Sequence, residues 1–259
     1  MFSYDPASDR WDVFPAPTGV ADTLDVTMTW TGQELVFWGH PYRRYEELAL
    51  SVALDPATGD WRTLPAGPLP SGMGPAATWD GDEVVVVAAG AVSTGTAPPP
   101  TPVAGLDPAT NAWRQLPPAP TELQGMTPTM AWTGTDLLLT GGINGDRRNE
   151  VVLSFDPDGE RWSEVGRMDG HSLYGSEMVW TGGRLVEIGG QLLSGDSTAD
   201  VTAFDPAAGS RRELPSLLGP RSNAGTIWTG SELLVWGGQA DAEGIDTALA
   251  TGERLTLRA

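Results

Sequence analysis

The chain has 259 residues, with 33 glycines, 22 prolines and no cysteine, and carries a formal net charge of −19. Without cysteine there is no disulfide and no thiolate chemistry, and so acidic a surface repels phosphate backbones and anionic lipid, which sets aside general nucleic-acid binding. Glycine and proline at this density suit short strands and tight turns rather than helices, and no apolar run approaches the roughly 20 residues of a membrane span.

Residues 1–15 come first and read as two strands around Tyr4-Asp5-Pro6, closing with Trp11 and Phe14-Pro15. Five longer units follow, at about 23–65, 72–117, 125–166, 173–215 and 221–258. Each opens with a strand that ends in Trp-Thr-Gly or Trp-Asp-Gly, at Trp30, Trp79, Trp132, Trp180 and Trp228. Glycine in the third place suits a hairpin position with φ > 0.

A second, apolar strand runs to a glycine stop, as in Leu185-Val186-Glu187-Ile188-Gly189-Gly190. The third strand ends at Asp-Pro (Asp55, Asp107, Asp156, Asp205). There the aspartate can accept hydrogen bonds from N–H groups further on, and Gly59, Asn111, Gly159 or Gly209 offers the left-handed residue. The fourth strand begins near Trp61, Trp113 or Trp162. The last unit replaces Asp-Pro…Trp with Thr247-Ala248-Leu249-Ala250-Thr251-Gly252-Glu253-Arg254-Leu255, which reads as one plain hairpin.

Tryptophans spaced about 50 residues apart mark a repeat architecture, and four antiparallel strands per unit predict an all-β propeller over the single domain 1–259. The apolar strand, Gly-Gly stop, aromatic-Asp-Pro turn and spaced Trp together resemble the kelch repeat family. The resemblance implies blades whose first strand is innermost and fourth outermost. Six blades with the first incomplete are expected. The alternative is five blades closed by the N-terminal strand pair.

Strand direction alternates, so the Thr-Gly and Asp-Pro turns share one face and the longer, irregular links share the other. Irregular surface links are where binding residues concentrate. The expected function is therefore a non-enzymatic recognition scaffold taking a protein or small ligand on the long-link face, without cofactor or metal. Tyr42, Arg43, Arg44 and Tyr45, with Tyr174 and Arg221, are the expected contacts, because tyrosine and arginine anchor recognition surfaces. Counting back from the inner tryptophans, alternation assigns Asp25, Thr127, Thr129, Glu177 and Asn223 to the central channel.

Two other functions stand beside this one. Kelch mutarotases that act on sialic acid imply an acid and a base at the channel mouth, for which Glu177 and Arg221 are the nominated pair. A structural module of a larger envelope or extracellular protein needs only the scaffold. Kelch-type copper oxidases need a modified cysteine, which this chain lacks, and the Glu/Asp/His set of iron-binding plant kelch proteins is not found. His40 and His171 stand in different units, without metal-ligand spacing. No export signal opens the chain. A truncated N-terminus would leave a secreted or cell-envelope location open.

Overall fold

A computed structural model of the chain describes residues 2–5, 8–15, 25–40, 49–70, 74–88, 100–120, 128–143, 146–168, 175–192, 194–242 and 245–257, and all regular structure among them is β-strand. An N-terminal hairpin, β1 (Phe2–Asp5) and β2 (Arg10–Val13), is a two-stranded sheet of its own. Four four-stranded antiparallel blades follow. The first is β3 (Asp25–Trp30), β4 (Leu35–His40), β5 (Leu50–Leu54) and β6 (Trp61–Thr63). The second is β7 (Ala76–Trp79), β8 (Val84–Val87), β9 (Thr101–Asp107) and β10 (Ala112–Ala119).

The third blade is β11 (Thr129–Trp132), β12 (Leu137–Ile143), β13 (Asp146–Asp156) and β14 (Arg161–Arg167). The fourth is β15 (Glu177–Trp180), β16 (Leu185–Ile188), β17 (Val201–Asp205) and β18 (Ser210–Leu214). The fifth blade begins in the same way, with β19 (Gly225–Trp228) and β20 (Glu232–Trp236). A small separate hairpin, β21 (Gln239–Ala242) and β22 (Ile245–Ala248), then intervenes before β23 (Gly252–Thr256) pairs with β20.

The count is five blades, that of the alternative, where the sequence favoured six with the first incomplete. Among the described residues there are five inner strand pairs, and those of 1–15 form the β1–β2 pair. The last unit also differs from the single hairpin expected of it. Ala248 and Gln239 pair in β22–β21, while Gly252 pairs with Trp236, so the stretch divides between two sheets.

The turns explain the repetition. Thr31 N donates to Glu34 O at 3.0 Å and Thr31 Oγ1 to the same carbonyl at 3.1 Å, with Gly32 at φ +93°. Thr133, Thr181 and Thr229 repeat the contact with Asp136, Arg184 and Glu232. At the Asp-Pro turns the aspartate accepts forward bonds as expected: Asp55 from Ala57 N (2.8 Å), Asp107 from Ala109 N (2.8 Å) and Asp205 from Ala207 N (3.0 Å). In the third blade the left-handed residue is Glu160 (φ +45°), not Gly159, because it stands four residues after Asp156, as Gly59, Asn111 and Gly209 stand after Asp55, Asp107 and Asp205.

Five blades make four packed interfaces among the described residues. In β8, Val84 and Val86 turn to the first blade and Val85 and Val87 to the third, the period-two alternation of a strand buried on both faces. Indole N–H groups clasp neighbouring blades: Trp113 Nε1 donates to Pro65 O and Trp162 Nε1 to Pro117 O, each at 2.8 Å. On the turn face, the Arg62 guanidinium holds the Glu34 carboxylate and reaches Pro108 O and Asn111 Oδ1 of the next blade. Arg114 likewise joins Glu83 to Glu160.

Candidate functional site

The long-link face is best defined where the fourth blade meets the fifth. Its foundation is the glycine stop after β16. Gly189 and Gly190 have φ of +62° and +105°, and a Cβ on Gly189 would collide with the Arg221 carbonyl oxygen. Glycine is required twice over there, by conformation and by space. The backbone of residues 221–223 fits against this stop: Gly190 N donates to Arg221 O (2.9 Å), Arg221 N to Thr198 O (3.0 Å) and Asn223 N to Gly175 O (2.7 Å).

Arg221 is one of the predicted contact residues, and the structure places it inside the fold, with 4 % of it exposed. Its Nη2 donates to Glu253 Oε1 at 2.7 Å and its Nη1 to Gly237 O and Thr251 O. It therefore ties the lead-in of the fifth blade to β23, the strand that lacks the repeat's usual residues. Glu253 Oε2 in turn accepts from Leu218 N at 2.6 Å.

Glu177 opens β15 opposite Ile188. Burial pushes its carboxyl up from 4.5 to about 7, and no described residue hydrogen-bonds or pairs with it. A half-buried carboxyl that gains a proton near neutral pH is chemically unusual among these strands. The structure does not join it to Arg221, whose guanidinium is engaged by Glu253.

Both faces of an inner strand look at neighbouring blades: Met130 and Trp132 pack toward the second blade and Ala131 toward the fourth. Thr129 shares the face of Ala131; its Oγ1 lies 2.7 Å from Thr140 Oγ1, which donates to Met178 Sδ. Glu177 shares the face of Val179, toward the fifth blade.

Asn223 has a left-handed backbone (φ +52°), its Nδ2 donating to Gln239 Oε1 at 3.3 Å. Asp25 begins β3 opposite His40. Tyr42, Arg43, Arg44, Tyr45, Thr127 and Tyr174 lie outside the described residues. Sequence reasoning missed Glu187, 6 % exposed in the middle of β16 and engaged there. The signal was available: Phe37, Val86, Leu139 and Val235 occupy the same repeat position in the other units. Among the described residues, no three His, Asp or Glu side chains converge as metal ligands.

Clefts also open on the turn face. One of about 380 Å³ is lined by Thr181, Arg184, Asp205, Arg212 and Trp228, and one of about 590 Å³ by Trp79, Asp82, Asp107, Arg114 and Asp158.

No family model matches the sequence, and no curated protein matches it. Solved structures do: the chain is similar to the structure of YjhT, with a TM-score of 0.68 over 86 % of this chain and 75 % of that one, at 19 % identity. Identity that low speaks for shared architecture alone, since one fold hosts many unrelated activities. The chain is an all-β propeller.

Proposed function

We propose that this propeller is a kelch-type recognition scaffold that takes a protein or a small ligand on its long-link face. The observation that carries this reading is the contrast between the two faces. Thr-Gly and Asp-Pro turns repeat one set of hydrogen bonds from blade to blade, as scaffold turns do. The links opposite differ in length and composition, and one of them gathers Tyr42, Arg43, Arg44 and Tyr45 in a chain of net charge −19. Tyrosine and arginine in such a link suit recognition of an acidic or aromatic ligand surface.

The test is a screen of glycans and displayed peptides against the intact chain, repeated with Tyr42→Ala/Arg44→Ala and with the turn-face variant Arg212→Ala. Hits that lose at least about tenfold in affinity only with the first variant support the reading. Hits indifferent to it, or lost only with Arg212→Ala, count against it.

A second reading, a carbohydrate-active enzyme of the sialic-acid mutarotase kind, is favoured by Glu177 alone. A carboxyl pushed up to about 7 holds and releases a proton at neutral pH, as an acid–base catalyst must. Arg221 is not its partner here, so the second proton carrier would come from another residue. Absence of any anomerisation rate above buffer removes this reading.

A further inference from the structure

Each repeat position can be compared across the five blades, and two sheet faces stand apart. Leu234 is 39 % exposed, while its counterparts Val36, Val85, Leu138 and Val186 are 1–2 % exposed. Trp236 is 59 % exposed, whereas Trp38, Val87, Thr140 and Ile188 lie between 0 and 2 %. Ile227, beside Leu234 in the ladder, is 60 % exposed. These three side chains form one apolar face of the fifth blade, the face that in the first four blades is covered by the next blade's inner strands.

The first blade has the complementary vacancy on its other face. Met28 is 56 % exposed and Trp30 49 %. Their counterparts Met130, Trp132, Met178 and Trp180 are partly buried against the preceding blade.

The N-terminal hairpin marks what belongs there. In the fourth blade the turn residue Gly209 lies against Val165 O, from the outer strand of the preceding blade. In the first blade the same turn residue, Gly59, lies against the ring of Phe14, which follows Trp11 as Val165 follows Trp162. The β1–β2 pair thus stands beside the first blade as an outer strand pair does, and among the described residues β1 has a strand neighbour on one side only. One clasp is unmade: Trp61 Nε1 is buried without a hydrogen-bond partner, whereas Trp113 and Trp162 each hold a proline carbonyl of the preceding pair.

We infer that the open edge of β1, with the apolar faces of β3–β4 and β19–β20, is a docking site for a β-hairpin with the chemistry of this chain's own inner strand pairs. Such a guest has an apolar strand ending in Trp-Thr-Gly, a tight turn and a second apolar strand. Its main chain adds to β1 by strand addition, and its two sheet faces cover Trp30 and Met28 on one side and Leu234 and Trp236 on the other. A second copy of the folded chain is the poorer occupant. It would present a finished blade rather than an unpaired hairpin, and would bring a second charge of −19 to the same surface.

The experiment adds a synthetic peptide copying residues 175–190 to the full chain, with a scrambled peptide as control. The expected result is saturable one-to-one binding, a raised Tm, and exchange of the β1 and β20 amides slowed at least about tenfold, as ligand linkage requires. The variant Trp236→Glu, whose substitution falls on an exposed position, is expected to weaken binding at least about tenfold while keeping the circular dichroism of the fold. The inference is overturned by absence of binding up to millimolar peptide, by equal binding of the scrambled peptide, or by binding that leaves β1 and β20 exchange unchanged. A chain that sediments as a dimer broken by Trp236→Glu also overturns it, in favour of a second copy.

Discussion

Arg221 Nη2 lies 2.7 Å from Glu253 Oε1, with 4 % and 8 % of the two side chains exposed, and this pair fastens β23 to the rest of the propeller. Breaking a buried, hydrogen-bonded ion pair leaves a charge without its partner, which typically costs about 3–5 kcal/mol. Arg221→Leu is expected to lower Tm sharply and to speed hydrogen exchange in residues 252–256 first. Glu253→Gln, which keeps an acceptor for Arg221, is expected to cost less. Thermal denaturation of the two variants checks both the sign and the order.

The glycine stop makes a sharper prediction. Gly189→Ala places a methyl group against the Arg221 carbonyl at φ +62°, whereas Gly182→Ala meets nothing within 4 Å at φ +89°. Both pay the cost of a left-handed backbone, about 1 kcal/mol, but only the first also forces two backbones apart. Gly189→Ala should therefore be the more damaging by at least about 1 kcal/mol in chemical denaturation.

Glu177 predicts a pH dependence of definite sign. Its folded carboxyl titrates near 7 against 4.5, so the folded state holds a proton that the unfolded state has released across that window. Stability therefore falls as pH rises from 4.5 to 7, by up to about 3 kcal/mol from this group. Glu177→Gln removes the ionised form and is expected to stabilise the chain at pH 8, with little change at pH 4.5. Equal Tm changes at the two pH values would contradict the assignment.

Equivalent tryptophans should have unequal worth. Trp38 is 1 % exposed and its Nε1 donates to Ala66 O at 3.0 Å; Trp236 occupies the same position in the last blade at 59 % exposure. Trp38→Ala is expected to cost about 3–5 kcal/mol and Trp236→Ala about 1 kcal/mol or less. Paired urea melts on the two variants measure this directly.

Much of this architecture was legible because it rests on local rules. Thr31 and Gly32, or Asp205 and Pro206, build the same turn wherever they occur, so strand order followed from turn chemistry. What escaped reading depends on neighbours. Alternation along β11 and β15 says which residues share a face but not what that face meets, so the contact of Thr129 with its ladder partner Thr140 was not read from the sequence. Arg221 read as a contact residue because Glu253 is distant in sequence and belongs to a strand without repeat signature. Glu187 was passed over inside an apolar run, although comparison with Phe37, Val86, Leu139 and Val235 would have exposed it.

A neighbouring blade, rather than the local sequence, decides how well each repeat position is protected. Amide hydrogen exchange resolved by strand tests it most directly, comparing the second strands β8, β12, β16 and β20. Similar, strong protection is expected in β8, β12 and β16, with at least about tenfold faster exchange in β20 and the fastest exchange in β1 and β2. Protection of β20 and β1 equal to that of β16 would contradict it.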